Sequence, residues 1–295
     1  MKSVLHFFRG FFAAFVVCLN TVFWGVPTFI IAAVKFLVPI SAVRRLCTRA
    51  INVVAKLWAD INNFNIRWLL PIAWDISVPE DLSRDRNYLV ISNHRSWVDV
   101  VVLQMVFNDR IPFFRFFLKS VLIWVPFLGL AWWALDYPFM KRYSKEKLAK
   151  HPELKGKDMD SAKRACARYA REHVSIMNFP EGTRYNERKK ISQKSAFSRL
   201  LKPKAGGIAY VLSAMGNTID SILNVTIVYY DDKPSLWKFL RGDIARVSVR
   251  VEKIEVTANL LGDYSGDESF RASFQQWLNQ IWKKKDAQIG QLLER

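Results

Sequence analysis

The rhythm of apolar and polar positions changes several times along this chain, and each change marks an element. From Gly10 to Val34 about 25 residues pass without a charge, long enough to cross a bilayer. Asn20 and Thr21 interrupt that run and Gly25-Val-Pro27 follows. The segment therefore reads as a single span or as two shorter helices that enter and leave one leaflet. A cleavable signal peptide fits poorly, because the run is too long and no small-x-small site ends it. Arg44, Arg45, Arg49 and Lys56 come next, which assigns the downstream side to the cytoplasm. Val43 to Phe64 has the spacing of a basic amphipathic helix. The charged stretch Asp81 to Asn87 then turns the chain into a first strand.

Downstream the period shortens. Tyr88 to Ile91 reads as a strand and Val100 to Phe107 as a helix. Val121 to Leu135 carries no charge and holds Trp124, Trp132 and Trp133. It is too short for a comfortable span, so it is either a buried core helix or a segment that leans into lipid. Residues 143–157 are polar and basic, a surface loop. Asp160 to Arg171 has the acidic start and basic end of a helix. His173 to Phe179 and Ile222 to Tyr230 read as strands, and Lys233 to Gly242 as a loop. Arg246 to Val256 alternates as a half-exposed strand. In the last segment Phe270, Phe274, Trp277, Leu278, Ile281 and Trp282 share one helical face, suited to packing on a sheet.

Composition narrows the partners. The net charge is +18 over 295 residues, a surplus that calls for an anionic partner: nucleic acid, phosphorylated metabolites or lipid headgroups. Trp and Phe crowd the first 140 residues, which suits a membrane interface better than a nucleic acid. No helix-turn-helix or other nucleic-acid module is visible, so no nucleic-acid partner is expected. Cys18, Cys47 and Cys166 are scattered and odd in number, with neither a disulfide framework nor zinc spacing. His6, His94, His151 and His173 form no metal cluster, and no metal site is expected.

Two short stretches carry chemistry. In residues 89–99 an apolar run stops at small polar residues and releases His94, with Asp99 five positions on. On one regular helix that spacing separates the side chains by about 140°. They meet only if His94 lies in a turn and Asp99 in the first turn of the next helix. A carboxylate on one imidazole nitrogen then fixes the tautomer and leaves the other free as a general base. The alternative is structural: Ser96 and Asp99 also fit a capping box.

The second stretch is Phe179-Pro-Glu-Gly-Thr-Arg184. Pro180 and Gly182 suit a type I turn at a strand's C-terminal end, where open α/β sheets place ligands. Such a turn would present Glu181, the Gly182 amide and Arg184, a seat for phosphate. It could equally be an ordinary turn with a solvated Glu181. A cationic tract from Arg184 to Lys204 follows, and Ala205-Gly-Gly207 opens a helix whose amides could hold an anion.

Asn93-His94…Asp99, Phe139-Met-Lys-Arg142, Phe179-Pro-Glu-Gly-Thr-Arg184 and Asn224-Val-Thr-Ile-Val, in that order, resemble the four blocks of the glycerolipid acyltransferase superfamily. This is the PlsC-like family of 1-acylglycerol-3-phosphate acyltransferases. The resemblance covers about residues 85–235. Trp124-Val-Pro-Phe-Leu-Gly-Leu and Lys202-Pro-Lys-Ala-Gly-Gly-Ile-Ala look like the YihG-like bacterial branch, which is similar to lysocardiolipin acyltransferases. The fourth block departs from the pattern, with Thr226 where a proline usually stands.

The resemblance implies an α/β fold with a mixed central sheet flanked by helices. Its units would be an anchor at 1–40, a basic connector at 41–84 and an acyltransferase domain at 85–295. It implies that His94 is the general base, oriented by Asp99, and that Arg142, Glu181, Gly182, Thr183 and Arg184 bind the acceptor. The expected reaction moves an acyl group from acyl-CoA or acyl-carrier protein to a lysophospholipid, with no bound cofactor. The first candidate acceptor is 1-acylglycerol-3-phosphate, giving phosphatidic acid. A lysocardiolipin or lysophosphatidylglycerol type acceptor is the alternative, and a non-catalytic basic lipid or nucleic-acid binder is the reading from another class. The expected place is the cytoplasmic side of a bacterial inner membrane, against its anionic surface.

Overall fold

The computed structural model describes residues 2–135, 137–141, 150–151, 166, 169, 173–231, 233–264 and 266–294. Arg142, most of the loop expected at 143–157 and most of the helix expected from Asp160 to Arg171 lie outside the described residues.

Two long helices come first, α1 (Lys2–Leu37) and α2 (Ser41–Leu69). Of the two readings of this segment, one helix or two, the structure shows one, with α1 running unbroken through Asn20 and Pro27. Its interrupting polar residues have partners on α2. Asn20 donates to the Trp58 carbonyl at 3.0 Å and to Asn62 Oδ1 at 2.9 Å, and Trp58 Nε1 donates to Thr21 Oγ1 at 3.1 Å. Polar groups in an apolar helix are stable where a packed neighbour satisfies them.

A six-stranded sheet follows, in the order β1-β8-β7-β2-β6-β3. Its strands are β1 (Ala73–Ser77), β2 (Tyr88–Ser92), β3 (Phe114–Phe116), β6 (Ser175–Asn178), β7 (Ser221–Tyr229) and β8 (Arg246–Glu255). The intervening β4 (Leu118–Lys119) and β5 (Phe139–Met140) form a separate parallel pair. Only β7 and β8 run antiparallel; every other neighbouring pair in the large sheet is parallel. The mixed sheet flanked by helices is the architecture expected. Besides the short strands β3, β4 and β5, which the sequence reading did not give, two elements form in stretches read as loop. β1 lies in a stretch read as loop, because five residues with half-exposed faces carry little periodic signal. A short helix, Leu236–Arg241, forms where a loop was expected, capped by the Ser235 side chain and ended by Gly242 at φ 71°.

Helices cover both faces, and β7 is buried along its whole length. Among the described residues the helices after α2 are numbered α3 (Val98–Phe107), α4 (Leu128–Ala134), α5 (Glu187–Ser192), α6 (Gly206–Met215), α7 (Leu236–Arg241) and α8 (Glu268–Leu293). On one face α6 and α8 pack on Ile222 and Val228, with Phe274, Leu278 and Trp282 at the centre. On the other, Val98, Val102, Leu103 and Val106 of α3 pack on Leu223, Val225 and Ile227. The C-terminal helix thus lies on the sheet, as its apolar face suggested.

α1 lies along the outside of this body and is tied to it at both ends. His6 Nδ1 meets Asp243 Oδ1 at 2.7 Å, and Lys35 donates to the Ala134 carbonyl at 3.1 Å. Gly10 permits close approach, since a Cβ there would fall 2.6 Å from the Arg241 side chain. Between Val4 and Leu37 only 11% of the most apolar window is buried. Leu46, Val53, Leu57, Phe64 and Trp68 of α2 and Val121, Trp124, Phe127, Leu130 and Trp133 around α4 are exposed as well. Phe29 stacks on Phe127 and Phe36 leans on Trp133, so α1 and the α4 region form a continuous apolar surface. Of the two readings of residues 121–135, this exposure excludes the buried core helix.

Candidate active site

β2 and β6 are parallel neighbours, so their C-terminal ends release the two motifs side by side. The backbone ties them together. His94 N–H donates to Glu181 Oε1 at 3.2 Å, and the His94 carbonyl accepts from Tyr185 N–H at 2.7 Å. On the other flank the Asn93 side chain pairs with both backbone groups of Ile227, at 2.9 Å each. The amide of Asn93 thereby continues the β2–β7 ladder where β2 itself has ended.

His94 lies in the turn and Asp99 in the first turn of α3, as the spacing required. Nδ1 of His94 is 2.8 Å from Asp99 Oδ2. The same oxygen accepts from the N–H groups of Arg95 (2.7 Å) and Ser96 (2.9 Å), and Oδ1 accepts from Tyr229 Oη at 2.7 Å. Capping and steering therefore coexist in one fully buried carboxylate. An ionised carboxylate only accepts, so the Nδ1 nitrogen carries the proton and Nε2 presents its lone pair. Nε2 has no hydrogen-bond partner among the described residues, and the side chain is 16% exposed, enough to be reached. Phe179 stacks on the ring at 4.0 Å and fixes its plane.

The second turn has the geometry its sequence suggested. Gly182 N–H donates to the Phe179 carbonyl at 2.9 Å, and Gly182 takes φ 68°, a conformation suited to glycine. That bond commits the Gly182 amide, so it is not free to seat a phosphate. Glu181 is fully buried, and its second oxygen accepts from Leu201 N–H at 3.2 Å. Placed so, Glu181 is a strut between the two bends rather than a group facing a ligand. Thr183 Oγ1 accepts from Lys189 at 2.7 Å. Arg184 is exposed, its guanidinium 4.8 Å above the ring of Trp97. Lys204 Nζ lies 3.8 Å from where a Cβ on Gly182 would sit. Of the residues expected to bind an acceptor, Arg184 is thus the described one that offers a free charged group.

Sequence reasoning missed Tyr229, Lys204 as a neighbour of Gly182, and Lys285. Tyr229 ends an apolar strand, and its hydroxyl was the only signal. Lys285 of α8 is buried and donates to the Val225 carbonyl. Burial pushes the Glu181 carboxyl up to about 8, against the pull of the His94 and Leu201 amides, and pushes the Lys285 ammonium down to about 7.

Residues 74–229, more than half the chain, match the family described as Acyltransferase. The chain belongs to that family. It is 26% identical to 1-acyl-sn-glycerol-3-phosphate acyltransferase epsilon of Mus musculus, over 59% of this chain and 52% of that one. It is 25% identical to the 2-acyl-1-lysophosphatidylinositol acyltransferase of Saccharomyces cerevisiae, over 71% and 61%. It is 26% identical to the 1-acyl-sn-glycerol-3-phosphate acyltransferase of Haemophilus influenzae, over 48% and 55%. The matched segments thus span between half and two thirds of these curated relatives. The crystal structure of the 1-acyl-sn-glycerophosphate acyltransferase PlsC from Thermotoga maritima shares the fold, with a TM-score of 0.57 and 14% identity over 100% of this chain and 99% of that one.

Two predictions follow from the charges at the turns. Asn at position 99 can still accept from the Arg95 and Ser96 amides but cannot stabilise an imidazolium. D99N should therefore keep the melting temperature within a few degrees while turnover drops about 10³-fold or more. An unchanged rate would reduce Asp99 to a cap. The second prediction concerns pH. Folding raises the Glu181 carboxyl from its ordinary 4.5 to about 8, so the stability it contributes is present below about pH 4.5 and is lost as pH rises towards 8. Lys285, lowered from 10.5 to about 7, loses stability in the opposite direction, as pH falls from about 10.5 towards 7. Between pH 5 and pH 7 the slope belongs to Glu181. E181Q should be less stable overall yet show a flatter decline of the urea midpoint across that interval.

Proposed function

We propose that the chain is a membrane-docked O-acyltransferase that moves a fatty acyl group from acyl-CoA or acyl-carrier protein to the free hydroxyl of a lysophospholipid. The first candidate acceptor is 1-acylglycerol-3-phosphate, giving phosphatidic acid. The observation that carries this reading is the His94–Asp99 contact of 2.8 Å, with Nε2 accessible and the family match around it. In the reaction Nε2 of His94 takes the hydroxyl proton as the oxygen attacks the thioester carbonyl carbon. The new C–O ester bond forms, the C–S bond breaks, and the departing thiolate takes the proton back from the imidazolium. Asp99 stabilises that imidazolium, and Tyr229 holds Asp99 in place. No acyl-enzyme is needed. Arg184 and Lys204 flank the Gly182 turn and suit the acceptor's phosphate, and Arg142 is proposed as a further acceptor-binding residue from the family resemblance alone.

The acceptor headgroup has a second candidate. A relative that covers most of this chain is named for a lysophosphatidylinositol, so the fold tolerates other headgroups, and a lysocardiolipin or lysophosphatidylglycerol type acceptor fits the same chemistry.

The membrane reading rests on α1. At 1.5 Å per residue its 36 residues extend about 54 Å, more than the roughly 30 Å hydrocarbon core. It is fastened to the body at both ends and exposes one apolar face together with α2 and Trp124. We infer that α1 lies in the cytoplasmic leaflet, in the plane of a bacterial inner membrane, with basic residues such as Arg44 and Arg45 meeting anionic headgroups.

Membranes bearing the protein, given one labelled acyl thioester and a panel of lysophospholipids, should yield labelled diacyl product for at least one acceptor. H94A should fold normally and lose turnover by about 10²–10⁴-fold; product formation by H94A at the normal rate would end the proposal. W124E/F127E should float poorly with anionic vesicles relative to the parent protein. Equal flotation, with α1 resistant to carbonate extraction, would favour a true span.

A further inference from the structure

On the β7 side of the His94 turn lies a cavity of about 550 Å³ that the mechanism above does not use. Its walls combine Arg95, Arg199 and Lys233 with Ile227, Ile289 and Leu293. The cations are held in different ways. The Arg95 guanidinium lies 4.6 Å above the Tyr185 ring. Arg199 is half-buried against α8, with Nη1 3.4 Å from where a Cβ on Gly290 would sit. Lys233 projects from the loop after β7. None of the three forms a salt bridge with a described carboxylate. The described acid on the wall, Glu187, feels the charge of Arg95 but is already engaged by the Tyr185 hydroxyl at 2.5 Å and by Lys190 at 3.0 Å. Behind the wall, Asp286 accepts from the Ser198 and Arg199 N–H groups, and Asp231 from the Lys233 N–H and the Lys238 ammonium.

Three cations around one cavity, whose nearby acids are already committed to other donors, raise its affinity for an anion. Guanidinium groups match phosphate oxygens in both charge and geometry. We propose that this cavity is a phosphate subsite, seating either a phosphate of the CoA donor or, in place of the Arg184–Lys204 seat named above, the headgroup phosphate of the lysophospholipid. The proposal rests on the acyltransferase reading. Its place in the fold suits that role. Arg95 directly follows the base, and Tyr229 both lines the cavity and holds Asp99, so a phosphate bound there is one residue from the groups that position the imidazole.

The test uses the full chain in detergent and the double variant R199Q/K233Q, whose side chains lie outside the core, so the fold should survive; an unchanged melting temperature checks this. Calorimetric titration with CoA and, separately, with lysophosphatidate should show one of the two binding about 10-fold or more weaker in the variant. Weaker CoA binding, with unchanged turnover of an acyl-N-acetylcysteamine donor that has no phosphate, assigns the subsite to the donor. Weaker lysophosphatidate binding, with turnover reduced for either donor, assigns it to the acceptor. Equal affinities in both proteins, or no binding of either ligand by the wild type, overturn the proposal. A wild type that binds both ligands yet transfers no acyl group would overturn the enzymatic reading instead and leave the binding comparison standing.

Discussion

The buried carboxylate of Glu181 is the constraint on which this site depends. Its two oxygens reach the His94 amide on one side and the Leu201 amide on the other. The segment carrying the base, the Phe179–Arg184 turn and the chain entering α6 are thereby fixed relative to one another. An ionised carboxylate here would be costly, with two backbone donors and the charge of Lys285 to offset the loss of water, so the group keeps its proton up to about pH 8. That cost explains the raised proton affinity of Glu181. It also makes the clamp specific, because few other side chains could bridge the same two amides. The Tyr185 amide, donating back to the His94 carbonyl, closes the link from the opposite direction.

From that clamp the rest of the site follows outward. With its backbone held, His94 has its ring plane set by Phe179 and its proton set by Asp99. Asp99 is in turn held by Tyr229, which stands at the end of β7, and β7 is tied back to the turn by Asn93. Three adjacent strands, β6, β2 and β7, thus each contribute a group to the surroundings of one imidazole. Such a ring of support suits a side chain that must keep its geometry while a ligand enters and leaves.

The same body presents its apolar surface through α1, α2 and the α4 region. The polar pair Asn20-Thr21 is where the two long helices are bolted together rather than a break in a span. A chain that acts on lipids needs its site near the interface. Here α1 packs directly on the α/β body rather than hanging from a linker, so the exposed apolar surface and the site keep a fixed spacing.

Much of this was legible from residues alone. The five-residue interval between His94 and Asp99 required a turn followed by a helix, since no single regular element could bring the two together. Pro180 and Gly182 specified a turn because their backbone preferences are local. The long apolar run, the alternating strand at 246–255 and the one-sided final helix were visible because burial imprints a period on sequence. What the sequence could not settle was which way a polar side chain faces once strands are placed side by side. Glu181 looked like a ligand and is a strut, and Tyr229 showed no sign of its reach to Asp99. The physical reason is that turn and helix preferences act between residues a few positions apart, whereas these contacts join residues 87 and 130 positions apart and exist only after the sheet has chosen its strand order.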